Sequence, residues 1–155
     1  MEKIASFTVN HNVLVPGLYL SRRDGEVSTF DLRFKKPNTG DLLTNAQLHS
    51  VEHMIATLLR NSPERDAVIY FGPMGCQTGF YFLFDSRRLT DAEAIALLQR
   101  VFTAGAAYDG SMPGKSAAEC GNYRNLDTAL ARDCCAFYAD VIRRWTPEDL
   151  VYPEA

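Results

Sequence analysis

His49 and His53 flank the run His49-Ser50-Val51-Glu52-His53, and on a helix two imidazoles four residues apart lie about 40° from one another around the axis. That spacing presents a ready pair of ligands to one divalent metal ion. Glu52 sits about 100° round from His53, close enough to work on a substrate atom at such a metal without being a ligand itself. The chain has three histidines in all, so two of the three fall inside this pentapeptide. Two imidazoles need at least one further protein ligand if a fourth position is to stay open. Cys120 is the candidate, in Glu119-Cys120-Gly121-Asn122-Tyr123, where the glycine permits close backbone approach. Cys76 is a different kind of cysteine. In Gly75-Cys76-Gln77-Thr78-Gly79 it rides a constrained turn from which a thiol can project into a cleft and act as an acid–base group, and a nearby cation would favour its thiolate. Each residue also has a plainer reading, as hydrogen-bonded boundary histidines and a buried apolar cysteine. Cys134 and Cys135 fall in a helical segment and read as packing residues.

The element that carries the motif starts after Pro37-Asn38-Thr39-Gly40-Asp41, with Thr44 or Asn45 as the cap, and runs to about Arg60 before Asn61-Ser62-Pro63 ends it. Leu48, Val51, Ile55, Leu58 and Leu59 recur at helical spacing as a core-facing stripe, which leaves His49 and His53 along its edge. Upstream, Val13 to Tyr19 and Val27 to Phe34 read as strands joined through Arg22-Arg23-Asp24-Gly25. Downstream, Ala67 to Phe71 and Gly79 to Phe84 read as strands around a loop whose glycines supply unusual backbone conformations. Thr90 and Glu93 have capping-box spacing ahead of a helix through about Ala104, and a third helix fits Leu126 to Trp145. Strands and helices do not alternate regularly. The pattern predicts an α+β fold, an antiparallel β-sheet packed against helices, as a single domain over residues 1–155 with a metallopeptidase-like HxxEH helix.

Composition narrows the partners. At 155 residues, 46% hydrophobic and 23% charged, the chain reads as an ordinary globular protein with a self-sufficient core. A net charge of -3 and the absence of a basic stripe argue against nucleic acid and for small molecules. The sequence has no long apolar run, so no membrane association is expected and a cytoplasmic location is. The four cysteines match neither a secreted disulfide framework nor a CxxC zinc ribbon.

HxxEH is also the inverted zinc-peptidase signature. Against a peptidase stand the short chain, a cysteine where such enzymes use a distant glutamate, and a second, turn-mounted cysteine with nothing to do. A small metal-dependent hydrolase with Glu52 as base, and a non-catalytic module with a closed four-ligand site, are the other readings.

Five segments together resemble the LuxS family, the S-ribosylhomocysteine lyases: Ser6 to His11, Phe30-Asp31-Leu32-Arg33-Phe34 with Pro37-Asn38, His49 to His53, Gly72-Pro73-Met74-Gly75-Cys76-Gln77-Thr78-Gly79-Phe80-Tyr81, and Glu119 to Tyr123. They occur in the family's order between residues 6 and 123. The resemblance implies cleavage of S-ribosylhomocysteine to homocysteine and 4,5-dihydroxy-2,3-pentanedione, the autoinducer-2 precursor used in quorum sensing, by carbonyl shifts and a β-elimination. It also implies metal ligands His49, His53 and Cys120, the catalytic pair Cys76 and Glu52, and ribose contacts from Ser6, His11 and Arg33. The cofactor implied is Fe²⁺, replaceable by Zn²⁺ or Co²⁺, and the assembly a homodimer with active sites at the interface. Asn10 and Tyr70 depart from the family pattern, each standing where an aspartate is common.

Overall fold

The computed structural model describes residues 1–154. Pro16 has no N–H to give a ladder, and the first strand, β1, starts just after it at Gly17 and runs to Asp24. The expected strand from Val13 to Tyr19 is therefore displaced toward the C-terminus. Arg22, Arg23 and Asp24 belong to the ladder rather than to the turn, because a solvated edge tolerates them and Arg23 pairs with Ser28 and Asp91. The turn shrinks to Gly25 and Glu26, with Gly25 at φ 59, and the chain returns as β2, Val27–Arg33.

Thr44 caps the next element, α1, Asn45–Arg60: its hydroxyl accepts from the Gln47 amide while the Gln47 side chain accepts from the Thr44 amide. Leu48, Val51, Met54, Ile55 and Leu59 are buried along α1, with Leu58 only part-buried. β3, Val68–Pro73, and β4, Gly79–Asp85, follow, and all neighbours in the sheet order β1-β2-β4-β3 run antiparallel. The Thr90 capping box opens α2, Asp91–Ala106. The last helix, α3, covers Thr128–Val141, shorter than the expected Leu126 to Trp145, because the Asp127 carboxylate caps its start and the chain turns after Ile142.

Period-two alternation decides what each sheet face does. Phe30 and Leu32 on β2 and Phe80, Phe82 and Phe84 on β4 are fully buried in one core with the apolar faces of the three helices. Helices α2 and α3 approach closely at Gly105, where an added Cβ would lie 2.7 Å from the Cys135 sulfur. Cys134 and Cys135 are buried there, as packing residues. The opposite face of β2 presents Thr29, Asp31 and Arg33, which are also buried. The observed fold is the antiparallel α+β arrangement that the pattern predicts.

Candidate functional site

Helix α1 puts the His49 and His53 rings edge to face with their Nε2 atoms 3.1 Å apart. The third group comes from the long connection between α2 and α3, where the Cys120 sulfur lies 3.3 Å from His49 Nε2. Three ties hold that connection to α1. Asp127's amide donates to the buried Ser50 hydroxyl, Asn125 bridges His49 and Asn45, and the Pro113 carbonyl meets His53. The ligand-type atoms of His49, His53 and Cys120 all lie within 4.8 Å of one another, the one such group of three among the described residues.

The donor set fits a divalent cation. Asn125 donates through its amide nitrogen to Asn45, 2.7 Å away, so its oxygen is the acceptor 2.5 Å from His49 Nδ1. His53 Nδ1 lies 2.9 Å from the Pro113 carbonyl, which can only accept. Both imidazoles therefore spend their N–H on Nδ1 and direct bare Nε2 lone pairs at one point, as metal-binding histidines do. Gly114 makes the last contact possible. It adopts φ 69, and a Cβ there would lie 2.9 Å from His53 Nδ1. Glu52 is half-buried beside His53 on the same helix.

Cys76 sits in a second group. It is exposed on a turn closed by Met74's amide to the Gly79 carbonyl and Gln77's amide to the Met74 carbonyl. The unusual backbone angle of this turn belongs to Gln77, at φ 63, rather than to Gly72 or Gly75 as expected. Its conformation is held by two bonds to Leu43, the Gln77 carbonyl accepting from the amide and the side chain donating to the carbonyl. The Cys76 sulfur lies 2.9 Å from the Thr78 hydroxyl and 3.8 Å from Arg33 Nη1.

Arg33 is only 3% exposed. Its cross-strand neighbours on both sides are glycines, Gly17 and Gly79. Nη2 donates to Asp31 Oδ2 at 2.6 Å and Nη1 to the Thr78 hydroxyl at 2.6 Å. Burial alone would lower the Arg33 pKa, but the Asp31 charge and hydrogen bond, with a smaller contribution from Cys76, outweigh it and hold the guanidinium charged. A buried ion pair is weak evidence for stability, since desolvation offsets most of its attraction, and that directs attention to what it positions.

Ser6, in a short 3-10 turn, joins His11, Arg33, Cys76 and Tyr81 around a cavity of 310 Å³. His11 also lines an adjoining cavity with Asn38, Cys76 and Thr78, and its Nδ1 lies 2.9 Å from the Val9 carbonyl. The structure thus brings Ser6, His11, Arg33 and Cys76 together in one place and His49, His53 and Cys120 in another. Sequence reasoning missed the supports: Asn45, Ser50, Asn125 and the Pro113 carbonyl for the histidines, and, for Arg33, Thr78 and Asp31, whose Oδ2 also accepts from the Tyr152 hydroxyl. Asn45 stands four residues before His49 and Asp31 two before Arg33, so helix and strand periodicity already put each pair on one face.

A helix-borne pair of imidazoles joined by a loop thiol, on an α+β scaffold, is the donor set of a site that could hold one metal ion. Comparison with known proteins sharpens this. The family model described as S-Ribosylhomocysteinase (LuxS) matches residues 4–148. The S-ribosylhomocysteine lyase of Finegoldia magna is 42% identical over 158 residues, covering 99% of this chain and 100% of that protein. Those of Clostridium beijerinckii and Desulfotalea psychrophila are 41% and 42% identical over 159 residues, each covering 99% of both chains. The chain belongs to the S-ribosylhomocysteinase (LuxS) family.

Proposed function

We propose that this protein is a metal-dependent carbon–sulfur lyase that cleaves S-ribosylhomocysteine to homocysteine and 4,5-dihydroxy-2,3-pentanedione. The observation that carries the reading is the convergence of His49, His53 and Cys120 in a chain that belongs to the S-ribosylhomocysteinase (LuxS) family. His49, His53 and Cys120 hold the metal, taken to be Fe²⁺ with Zn²⁺ or Co²⁺ able to replace it, since two imidazoles and one thiolate suit all three. When bound, the ion supplies Lewis acidity toward sugar oxygens.

The chain's own groups handle the protons. Cys76 moves a proton between adjacent sugar carbons, with the Arg33 guanidinium and the Thr78 hydroxyl beside its sulfur. Glu52 moves protons on oxygen and assists departure of the homocysteine sulfur. Ser6, His11 and Arg33 hold the ribose in the cavity that they line with Cys76.

A homodimer with active sites at the interface fits the exposed apolar residues around that cavity. Phe7 is 68% exposed and lines it, and Leu42, 42% exposed, lines its neighbour. No metal ligand lines either cavity, so a second copy that covers the Cys76 side could contribute the metal side. We take the chain to be one lyase domain over residues 1–155, working in the cytoplasm on a small molecule. No helix among the described residues is long and apolar enough to cross a membrane.

Anaerobically purified protein incubated with S-ribosylhomocysteine tests the reading, with released thiol and bound metal measured on the same sample. Thiol release that tracks metal content is expected. Metal-replete protein that releases none would overturn the assignment.

A further inference from the structure

Tyr152 reaches the back of the Cys76 group from the C-terminal segment. Its hydroxyl donates to Asp31 Oδ2 at 2.8 Å, the same oxygen that takes Arg33 Nη2. The ring is held in place by Tyr19, stacked on it with centroids 5.0 Å apart, and Tyr19 is the cross-strand neighbour of Asp31. Two residues earlier, Leu150 is buried at the end of a 3-10 turn opened by a Thr146 and Asp149 capping box. The phenol thus arrives at Asp31 on an anchored segment. Burial, and then the Asp31 carboxylate, push its pKa well above the ordinary value, so it remains a donor.

The Asp31 and Arg33 pair is joined by one bond, although arginine and carboxylate prefer a two-bond fork. Among the described residues, Asp31 Oδ1 and Arg33 Nε are both buried with no hydrogen-bond partner. These are atoms that a fork would join. Without it, the guanidinium is tied to the carboxylate through Oδ2 alone, and Tyr152 fixes that same oxygen. The far side of the same guanidinium, Nη1, meets Thr78 and the Cys76 sulfur, so the place of Oδ2 sets the place of Nη1.

We propose that Tyr152 is a positioning residue that fixes Asp31 Oδ2 and, through the single Oδ2–Nη2 bond, keeps Arg33 Nη1 beside the Cys76 sulfur. The inference rests on the reading of Cys76 as the acid–base group, but it can be tested without turnover. A cationic N–H beside a sulfur raises its reactivity at neutral pH. In the metal-loaded full chain, iodoacetamide alkylation of Cys76 at pH 7, followed by peptide mass spectrometry, reads that contact directly.

Tyr152→Phe should slow Cys76 alkylation by about five- to tenfold, with metal content and Tm close to the parent's. In thiol release from S-ribosylhomocysteine, kcat should fall by a similar factor while KM changes little. Replacing Tyr152 with para-aminophenylalanine, which keeps the ring and a donor, should restore the alkylation rate. Parent-like alkylation in folded Tyr152→Phe would overturn the proposal. So would a Tyr152→Phe chain that does not fold beside a folded amino variant, since the hydroxyl would then be structural. Slowed alkylation in a protein that releases no thiol even as the parent would uphold the positioning role while refuting the lyase reading.

Discussion

His49 and His53 face each other through bare Nε2 atoms 3.1 Å apart, because each ring has committed its N–H elsewhere, His49 to Asn125 and His53 to the Pro113 carbonyl. Two lone pairs at that separation repel unless a cation lies between them. The pair is therefore shaped for a metal by its surroundings as much as by its own spacing.

Asn125→Leu should weaken metal affinity by about 10–100-fold, because His49 loses the acceptor that sets its tautomer while keeping its place on the helix. Competition with a chromophoric chelator gives the affinity directly. An unchanged value would mean that Asn125 is incidental.

Gly114→Ala attacks the other ring. A side chain at φ 69 is strained, and its Cβ would press on His53 Nδ1 at 2.9 Å, displacing either the ring or the Pro113 carbonyl. The variant should bind metal at least about tenfold more weakly while its Tm shifts by only a few degrees. Equal affinity in both proteins would show that the connection between α2 and α3 yields without cost.

Cys76→Ala should keep its metal and lose turnover by about two to four orders of magnitude, whereas Cys120→Ala should lose metal and turnover together. Elemental analysis and thiol release on the same preparations separate the two roles. Parent-like turnover in Cys76→Ala would remove it from the mechanism.

The two helical cysteines predict an alkaline response. Burial, with a like charge nearby, pushes Cys134 up to about 11 and Cys135 up to about 12. In the unfolded chain a cysteine titrates near 8.5, so the unfolded state releases these protons first as pH rises. The folded state should be at full strength below about pH 8 and lose stability progressively through about pH 12. Denaturant midpoints measured across that range should fall, and Cys134→Ala/Cys135→Ala should flatten the fall. At pH 8, a thiol reagent should meet Cys76 first.

Much of this was legible in the residues. Thr44, offered together with Asn45 as the cap, marked the start of α1, its apolar stripe set the face that is buried, and Thr90 with Glu93 marked the start of α2. Boundaries slipped where tertiary context outweighed local signals: Pro16 delayed β1, and Asp127 trimmed α3. The supporting contacts were less legible because they join distant residues. Asn125 meets His49 across 76 residues and Tyr152 meets Asp31 across 121, separations at which neither helical nor strand periodicity carries information. A carbonyl such as that of Pro113 leaves no mark on residue type at all.

X-ray absorption at the edge of the bound metal tests the central claim most directly. The account predicts one sulfur at about 2.3 Å, two imidazole nitrogens at about 2.0–2.1 Å and room for a light oxygen donor, with the sulfur lost in Cys120→Ser. A spectrum without sulfur, or one that Cys120→Ser leaves unchanged, would contradict it.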